Sequence, residues 1–480
     1  MTDWKKPSKF DANLIVLGAG SAGLIAAYIS AALQARVILI EENKMGGDCL
    51  NTGCVPSKTL LGIAKTMHEV RHANKKGIQA SVSQLDFGLV RDQVKKAIAT
   101  IEPNDSMERY RGLGVECIAG SGRVVDPWTV EVNNQRYRAR NLVIATGANP
   151  QVPPIDGLSQ VDYLTTETVW DMKELPKRLC ILGGGAIGCE LAQAFQRLGS
   201  TITIVEMADR LLFREDPEIS ELMTNVLSCE SVQLKTGNRA VRVTPGRLIC
   251  QKDGGEFNVE FDQLLVATGR RPRVNGLGLE DIGLQIDPSG QLQTNGFLQT
   301  NFSHIYACGD VAGPFQFTHA AGHQGWYAAM NALFRPIKQF RVDYSHFPWC
   351  IYTDPEIGGV GLSETEVTKR GISFQSTHFE LAELDRAIAD QSQKGFIRVL
   401  TLKNTDKILG ATVAGPRAGE LVSLLALAIR NKIGLNAVLS TVMPYPTHAE
   451  LVKRVAGSWK KNQIPQWVLP WLKRYHHWRR

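Results

Sequence analysis

The feature that most constrains the fold is a nucleotide-binding pattern that occurs twice in the chain. In the first copy an apolar run leads into a GxGxxG turn formed by Gly18, Gly20 and Gly23, then a helical segment and an apolar strand that closes with Glu41. The second copy repeats this order with three glycines and a closing acid, which are Gly183, Gly185, Gly188 and Glu206. A lone GxGxxG is weak support, but the complete order found twice is strong. The chain is therefore predicted to be an α/β protein with two Rossmann-like domains.

The residues of each copy suit the binding of a dinucleotide. Glycines permit a tight turn and let a pyrophosphate approach the helix N-terminus, where N–H groups and positive partial charge are available. Glu41 and Glu206 are expected to accept hydrogen bonds from ribose hydroxyls. Each copy is followed by an apolar strand that ends in Thr-Gly, at Thr146 and Gly147 and again at Thr268 and Gly269. One duplicated fold is therefore expected to hold two dinucleotides.

Two cysteines, Cys49 and Cys54, follow the first copy in the segment GGDCLNTGCVPSK. A regular helix would separate residues five apart by roughly 7.5 Å along its axis, which is at the limit of what a disulfide can span. The insert at residues 51–53 must therefore bend the backbone. A strained disulfide is easier to reduce than a structural one, so the pair is predicted to be redox-active.

Length and composition favour a soluble, multidomain globular protein rather than a secreted or membrane-spanning one. The chain has 480 residues, 44% of them hydrophobic, and nine cysteines; this length favours about three domains. The odd cysteine count and the polar first ten residues favour a reducing cytoplasm. The uncharged stretch 14–33 is long enough to suggest a membrane span. Its glycines divide it into a strand, a turn and a helix, so that interpretation is rejected.

The net charge of +7 comes from the C-terminal end. Residues 451–480 contain eight Lys or Arg and no acid, and the other 450 residues carry 46 basic against 47 acidic side chains. A nucleic-acid-binding protein would carry its basic footprint on the folded domains. Nucleic acid is therefore not an expected partner. Because four tryptophans fall among these basic residues, contact of the tail with a membrane surface is kept as an alternative to packing on the body of the protein.

The cysteine segment resembles the redox-active disulfide motif of the pyridine nucleotide–disulfide oxidoreductases, which include lipoamide dehydrogenase, glutathione reductase and mercuric reductase. The resemblance continues to about residue 450. It implies FAD at the first copy, a nicotinamide cofactor at the second, and an α+β C-terminal domain that forms a homodimer. The predicted domains are an FAD-binding domain at 1–150 and 272–340, an NAD(P)-binding domain at 151–271, an interface domain at 341–455 and a basic tail at 456–480.

The same resemblance assigns roles to individual residues. Nicotinamide reduces the flavin, Cys54 is the sulfur next to the flavin, and Cys49 is the interchange thiol that meets the substrate. Lys58 is expected near the flavin, paired with Glu190. The later FAD segment contains Gly309 and Asp310, with Asp310 placed to contact the ribityl chain. Thr318 begins a helix aimed at the flavin, and His319 either contacts the flavin or caps that helix. Gly269 ends the strand of the second repeat that corresponds to the strand ending at Gly147 in the first.

The C-terminal motif departs from the family pattern. Disulfide-reducing members carry His-Pro-Thr-x-x-Glu, in which the His acts as acid and base for the other subunit's thiols and the Glu orients it. Here Tyr445 replaces the His, whereas Glu450 is retained. At neutral pH a phenol with a pKa near 10 is a poor general base compared with imidazole, whose pKa is near 6.5. Dithiol oxidation is therefore expected to be slow, unless His448 substitutes.

Tyrosine at this position also occurs in mercuric reductases, and residues 212–217 resemble their second domain. A soft metal bound by thiolates needs electrons rather than a proton shuttle, so a thiol-bound metal or a disulfide is the expected acceptor. No resident metal site is expected. Against that assignment, the last cysteine is Cys350, and the vicinal pair and N-terminal module of those enzymes have no counterpart. Dihydrolipoamide dehydrogenase stays as the alternative, and so does a membrane-docked or partner-docked flavoprotein. Glutathione reductase is disfavoured by Tyr28 and Ser57.

The nicotinamide cofactor is predicted to be NADH. A carboxylate at Glu206 accepts a hydrogen bond from a free 2′-hydroxyl and repels a 2′-phosphate. Arg210 and Arg214 stand close in sequence and leave NADPH open.

Overall fold

Both glycine-rich repeats fold as a strand, a turn, a helix and a second parallel strand in the computed structural model, which describes residues 4–465 and 467–480. In the first repeat Ala12–Leu17 pairs in parallel with Val37–Glu41, and helix Ser21–Ala32 connects them. In the second, Arg178–Leu182 pairs with Thr201–Glu206 through helix Ala186–Leu198. The predicted α/β architecture is confirmed. The apolar stretch at 14–33 is accordingly strand and helix.

Close contact between turn and helix fixes the geometry of each repeat. Gly18 has a φ of +96° and Gly183 a φ of +114°, in the region that favours glycine. A Cβ atom at Gly23 would lie 1.8 Å from the carbonyl oxygen of Gly18, and one at Gly188 would lie 2.0 Å from that of Gly183. No larger residue fits at either third glycine. The helix N-terminus is therefore held against the end of the strand.

The chain forms two units. The first runs to Asp209 and resumes over Glu230–Val342; the second contains Arg210–Cys229 and Asp343–Arg480. The domain boundaries inferred from the sequence remain predictions.

The first unit contains a seven-stranded and a five-stranded sheet. The seven-stranded sheet has the order Val115–Ala119, Val37–Glu41, Ala12–Leu17, Gln135–Ile144, Thr129–Val132 and Arg123–Asp126, with Ile305–Ala307 also paired to Gln135–Ile144. The five-stranded sheet is parallel and has the order Gln233–Thr236, Thr201–Glu206, Arg178–Leu182, Gln263–Val266 and Leu164–Thr165. Both sheets place the carboxyl ends of their central strands at the glycine-rich turns.

Smaller sheets and helices complete the first unit. Arg239–Thr244, Arg247–Lys252 and Gly255–Glu260 form an antiparallel sheet, and Ala148–Pro150 pairs with Arg270–Pro272. Its remaining helices are Gly47–Asn51, Cys54–His72, Phe87–Ile101, Met107–Gly112 and Thr318–Phe334. Helix Thr318–Phe334 packs closely on Ser21–Ala32, because Gly325 brings its backbone against that of Ala22.

The second unit is built on an antiparallel sheet of five strands. Their order is Pro348–Ile351, Glu356–Gly361, Ile408–Gly415, Phe396–Leu402 and Phe374–Glu380. The helices are Pro217–Cys229, Glu364–Lys369, Asp385–Ala389, Ala418–Arg430, Leu435–Ser440, Glu450–Asn462 and Val468–Trp478. One apolar core joins the sheet to helices Ala418–Arg430 and Glu450–Asn462.

The C-terminal end differs from the sequence expectation of a tail that starts at residue 456. Helix Glu450–Asn462 continues through that position, and Trp459 is buried in the core of the second unit. A separate helix, Val468–Trp478, follows. Pro470 does not interrupt it because proline is tolerated in the first turn, where an N–H has no intrahelical acceptor. Among the residues that the structure describes, no helix is both long and apolar enough to cross a membrane.

A buried arginine attaches helix Pro217–Cys229 to the sheet of the second unit. Arg398 on strand Phe396–Leu402 is 8% exposed and forms an ion pair with Asp216, which is 5% exposed. Its Nη1 also lies 2.9 Å from Glu218 Oε2 and 3.3 Å from Glu364 Oε2. The cluster fixes the start of the helix, since Asp216 also accepts the Thr365 hydroxyl at 2.9 Å.

We expect Arg398→Leu to destabilise the second unit by about 3–5 kcal/mol, because it leaves the buried carboxylate of Asp216 unpaired. The matched control is Arg430→Leu, which removes an exposed pair with Asp343 and should cost at most about 1 kcal/mol. Urea unfolding followed by circular dichroism measures both. Equal losses in the two variants would contradict a stabilising role for this cluster.

Candidate active site

The two cysteines lie on successive short helical segments separated by a bend. Cys49 belongs to helix Gly47–Asn51, and Cys54 is the first residue of helix Cys54–His72. The bend is stabilised locally: the N–H of Thr52 donates to the carbonyl of Asp48 at 2.9 Å, and Asn51 Nδ2 donates to the carbonyls of Met45 and Gly47 at 2.9 Å. The bend predicted at residues 51–53 is therefore present.

The two sulfurs are hydrogen-bonded thiols, with different environments. The hydrogen bond from Cys49 lowers the pKa of the Cys54 thiol, and the Thr318 hydroxyl and the nearby Lys58 charge add to this effect against the opposing effect of burial. The same bond and burial raise the pKa of Cys49. Cys54 Sγ lies 3.1 Å from Thr318 Oγ1. Because Cys54 also begins a helix, the helix dipole favours its thiolate. The arrangement can hold the negative charge on Cys54 and the proton on Cys49.

Lys58 and Glu190 connect the cysteine helix to the helix of the second repeat. Lys58 Nζ donates to Glu190 Oε2 at 2.8 Å, and the Glu190 side chain is only 7% exposed. Helices Cys54–His72 and Ala186–Leu198 pack against each other at this point. A cation is therefore fixed one helical turn after Cys54.

The two closing acids make equivalent contacts with their turns. Glu41 accepts the N–H of Ala19 at 2.6 Å and that of Asn43 at 2.8 Å. Glu206 accepts the N–H of Gly184 at 2.6 Å and that of Ala208 at 2.7 Å. These contacts hold each carboxylate beside its glycine-rich turn, where the sequence placed a ribose-binding acid.

A cavity of about 950 Å³ begins at the first turn. It runs from Glu41 and Glu42 past Gly18 and Gly20 to Thr146 and Gly147, and it reaches Asp48 and Thr52 on either side of Cys49. Its volume lies at the upper end of the range of about 300–1,000 Å³ typical of cofactor pockets. The cavity is large enough for a dinucleotide, and it extends from the glycine-rich turn to the cysteine motif.

Arg270 links the cysteine motif to the later segment that contains Gly309 and Asp310. It forms an ion pair with Asp48 and lies 3.4 Å from Asp310 Oδ2. Burial raises the pKa of the Asp310 carboxyl, and the Arg270 charge opposes that shift. Gly309 has a φ of +80° and donates its N–H to Gln324 Oε1 at 2.6 Å.

The remaining predicted cofactor residues fall at strand ends or at a helix start. Thr146 Oγ1 donates to the carbonyl of Arg273 at 2.7 Å. The ring of His319 is exposed and lies 5.4 Å from that of Phe317, the N-cap of helix Thr318–Phe334. At Gly269 the φ is +130°, and at Gly185 a Cβ would meet no atom within 4 Å. The second turn is thus open to a phosphate group.

Tyr445 and Glu450 belong to the second unit. The hydroxyl of Tyr445, a residue that is 68% exposed, donates to Asp385 Oδ2 at 2.9 Å. This hydrogen bond and the Asp385 charge raise the pKa of the phenol, and Glu450 adds to the effect. At neutral pH Tyr445 is therefore deprotonated to a smaller extent than an isolated tyrosine, so it offers less phenolate to act as a base.

His448 is buried, with Nε2 3.3 Å from Asp390 Oδ2. Burial lowers the pKa of its imidazole, and Asp390 partly compensates. Glu450 Oε2 is buried and has no hydrogen-bond partner within the described residues.

Sequence reasoning missed three contributors to this site. Thr318 was interpreted only as a helix start, whereas its hydroxyl lies against Cys54 Sγ. Arg270 and Arg273 follow a Thr-Gly strand end and pair with Asp48 and Glu42. The Arg-Arg-Pro-Arg sequence after Gly269 was the available signal. Within the described residues, no group of three or more His, Cys, Asp or Glu side chains could hold a metal ion.

Comparisons with known proteins agree with this geometry. Residues 12–325 match the pyridine nucleotide-disulphide oxidoreductase model, and residues 347–456 match the dimerisation domain of the same family. A mercuric reductase from Lysinibacillus sphaericus is 34% identical over 94% of this chain and 83% of its own length. A dihydrolipoyl dehydrogenase from Thermus scotoductus is 35% identical over 94% of this chain and 98% of its own.

Among solved structures, LpdA from Mycobacterium tuberculosis superposes with a TM-score of 0.85 at 26% identity, over 92% of this chain and 98% of that one. The HOCl-induced flavoprotein disulfide reductase RclA from Escherichia coli has a TM-score of 0.82 at 24% identity, over 93% and 99%, and supports the fold alone. With both family domains matched in order, the chain belongs to the class I pyridine nucleotide-disulfide oxidoreductases.

Proposed function

We propose that the chain passes two electrons from a reduced nicotinamide, through bound FAD, to Cys49 and Cys54 and then to a disulfide or thiol-bound metal acceptor, in the manner of a mercuric reductase. The observation that carries this proposal is the hydrogen-bonded cysteine pair at the start of helix Cys54–His72. The family binds FAD and NAD(P)H. Bound flavin supplies a two-electron relay between nicotinamide and the cysteine pair.

The residues around the cysteine pair have different roles. Cys54 holds the thiolate, because Cys49 and Thr318 donate hydrogen bonds to it and Lys58 is close. Cys49 retains the proton and becomes the sulfur that attacks the acceptor when this proton moves along the hydrogen bond to Cys54. Glu190 fixes Lys58 and so limits where its charge can lie. Arg270 positions Asp48, beside Cys49, relative to Asp310.

The acceptor is tested by steady-state turnover of the FAD-loaded protein with NADH and NADPH against lipoamide, oxidised glutathione, Hg(II) with excess thiol, and a quinone. We expect turnover with Hg(II) and thiol. Cys49→Ser should retain FAD and hydride uptake but lose at least about 100-fold in metal or disulfide turnover, since a hydroxyl is a far weaker nucleophile than a thiolate. Quinone reduction, which needs no thiol, is the internal control. Undiminished metal and disulfide turnover in the variant would refute the assignment of Cys49.

Thr318→Val should raise the pKa of Cys54 by about one in the dithiol form, because the donor to the thiolate is lost and a hydrogen bond to a charged group is worth about 1.5–3 kcal/mol. The midpoint of thiolate ultraviolet absorbance, taken as a difference from Cys54→Ser, should move to higher pH. Thr59→Val is the control. Its hydroxyl donates to the carbonyl of Val55 on the same helix and should leave the midpoint unchanged. An unchanged midpoint in Thr318→Val would remove Thr318 from the mechanism.

Metal reduction is favoured over dithiol oxidation because of the state of residue 445. Oxidation of a dithiol must deliver protons to a base, but the Tyr445 phenol is bonded to Asp385 and its pKa is raised. His448 does not replace it, since its ring is buried and its Nε2 lies 3.3 Å from Asp390 Oδ2. Dihydrolipoamide dehydrogenase remains the second candidate because of the relative that is 35% identical over nearly its whole length.

Tyr445→His should raise lipoamide activity by at least about tenfold, given the 10²–10⁴ contribution of a placed general base. The buried Oε2 of Glu450, which has no partner within the described residues, is available to orient an imidazole. Tyr445→Phe removes the hydroxyl without adding a base and should give no gain. Rapid lipoamide turnover by the unmodified protein would overturn the argument, and no gain in the His variant with FAD intact would indicate that the lipoamide pocket is absent.

NADH is the proposed reductant. Glu206 is fixed by two backbone N–H groups beside the second turn, where a carboxylate favours a free 2′-hydroxyl. Arg210 donates to the carbonyls of Phe213 and Glu215, which reduces its availability for a phosphate. A homodimer is proposed from the matched dimerisation domain, and a reducing cytoplasm from the cysteine usage. The ratio of kcat/KM for the two cofactors in the same turnover assay tests the reductant.

A further inference from the structure

The C-terminal helix Val468–Trp478 presents an apolar face with no cover from the described residues. Val468, Trp471, Leu472, Tyr475 and Trp478 recur at spacings of three and four residues, so they share one side of the helix. Trp471 is 71% exposed and Trp478 is 81% exposed. None of the helix residues is buried. Two exposed tryptophans on one face of a short helix are unusual for a surface in contact only with water.

The rest of this helix carries basic residues. Lys473 lies opposite the apolar face, Arg474 lies at its edge, and Arg479 and Arg480 follow the helix, whereas residues 451–480 contain no Asp or Glu. An amphipathic helix with Trp and Leu on one face and Lys and Arg on the other binds flat at the interface of a bilayer that contains anionic lipids. Tryptophan and tyrosine favour the headgroup region because their rings are amphipathic.

A second copy of this chain complements the helix less well. The residues outside 451–480 carry 46 basic against 47 acidic side chains, so the body of a partner offers no excess negative charge. The matched dimerisation domain ends at residue 456, twelve residues before the helix begins at Val468. An anionic bilayer satisfies both the apolar and the basic side.

We propose that helix Val468–Trp478 docks this oxidoreductase on the surface of membranes that contain anionic phospholipid. A single helix of this kind binds weakly and reversibly. In a dimer the two helices act together, and the second contact forms at a high effective concentration. The enzyme would then draw its electron acceptor from the layer next to the bilayer.

The experiment is flotation of the FAD-loaded, full-length protein with lipid vesicles. We expect binding to phosphatidylcholine vesicles that contain about a third phosphatidylglycerol, little binding to pure phosphatidylcholine, and loss of binding at high salt, because surface charges are screened. Failure to float with the anionic vesicles, or equal binding to both lipids, overturns the proposal.

Two variants separate the apolar from the basic contribution. Trp471→Glu should weaken binding at least tenfold, whereas the control Ile337→Glu, which places the same charge at an 88% exposed apolar position of the first unit, should not. Lys473→Gln with Arg474→Gln should weaken binding on the order of tenfold and keep the apolar face. This second variant carries the test if Trp471→Glu loses FAD or unfolds.

Light scattering after size exclusion tests whether a partner subunit, rather than a bilayer, covers the apolar face of the helix. If Trp471→Glu dissociates the dimer and still floats like the unmodified protein, the face belongs to the partner subunit and the proposal is wrong. An intact dimer with lost flotation supports the bilayer as the occupant.

Discussion

Contact between the third glycine and the first in each turn is the constraint on which the rest of the structure depends. Because Gly23 lies against the carbonyl of Gly18, and Gly188 against that of Gly183, each helix starts directly at the end of its strand. The backbone N–H groups of the helix and the closing carboxylate are thereby brought to one place. A methyl group at either position would push the helix away and remove the phosphate site. The duplicated fold thus fixes the position of both proposed dinucleotide sites.

The chemistry depends on the packing of two helices, Cys54–His72 after the first repeat and Ala186–Leu198 within the second. Cys54 begins a helix that continues to Lys58, and the partner of Lys58 is Glu190 on the helix of the second repeat. A shift of either helix would therefore change the distance between the Lys58 ammonium group and the Cys54 sulfur. The Thr318 hydroxyl approaches the same sulfur from a third helix. Charge on Cys54 is governed by groups from three separate parts of the sequence.

Local sequence patterns predicted the repeats and the bend between the cysteines, because each depends on residues within one short segment. The departure at Tyr445 was recognised only by comparison with the motif of the family. The pairing of Lys58 with Glu190 required the family resemblance. Contacts between distant segments gave no local signal: Thr318 resembles an ordinary helix start, and Arg398 resembles an ordinary strand residue although it binds Asp216. The C-terminal segment gave no local signal of burial either: Trp459 is a core residue, and the exposed helix begins at Val468. Composition identified the basic C-terminal segment, but it did not show which residues of that segment are buried.

The placement of helix Pro217–Cys229 affects the order in which the chain folds during its synthesis on the ribosome. The helix is encoded within the second repeat, but its buried partner Arg398 lies about 180 residues further on. Domains generally fold as units, and N-terminal ones first during synthesis. The sheets of the first unit can fold before the strands of the second unit have been synthesised. Until then, the apolar side of helix Pro217–Cys229 is exposed. The packing of this helix is therefore completed only after Arg398 has been synthesised, so the order of folding does not follow the order of synthesis.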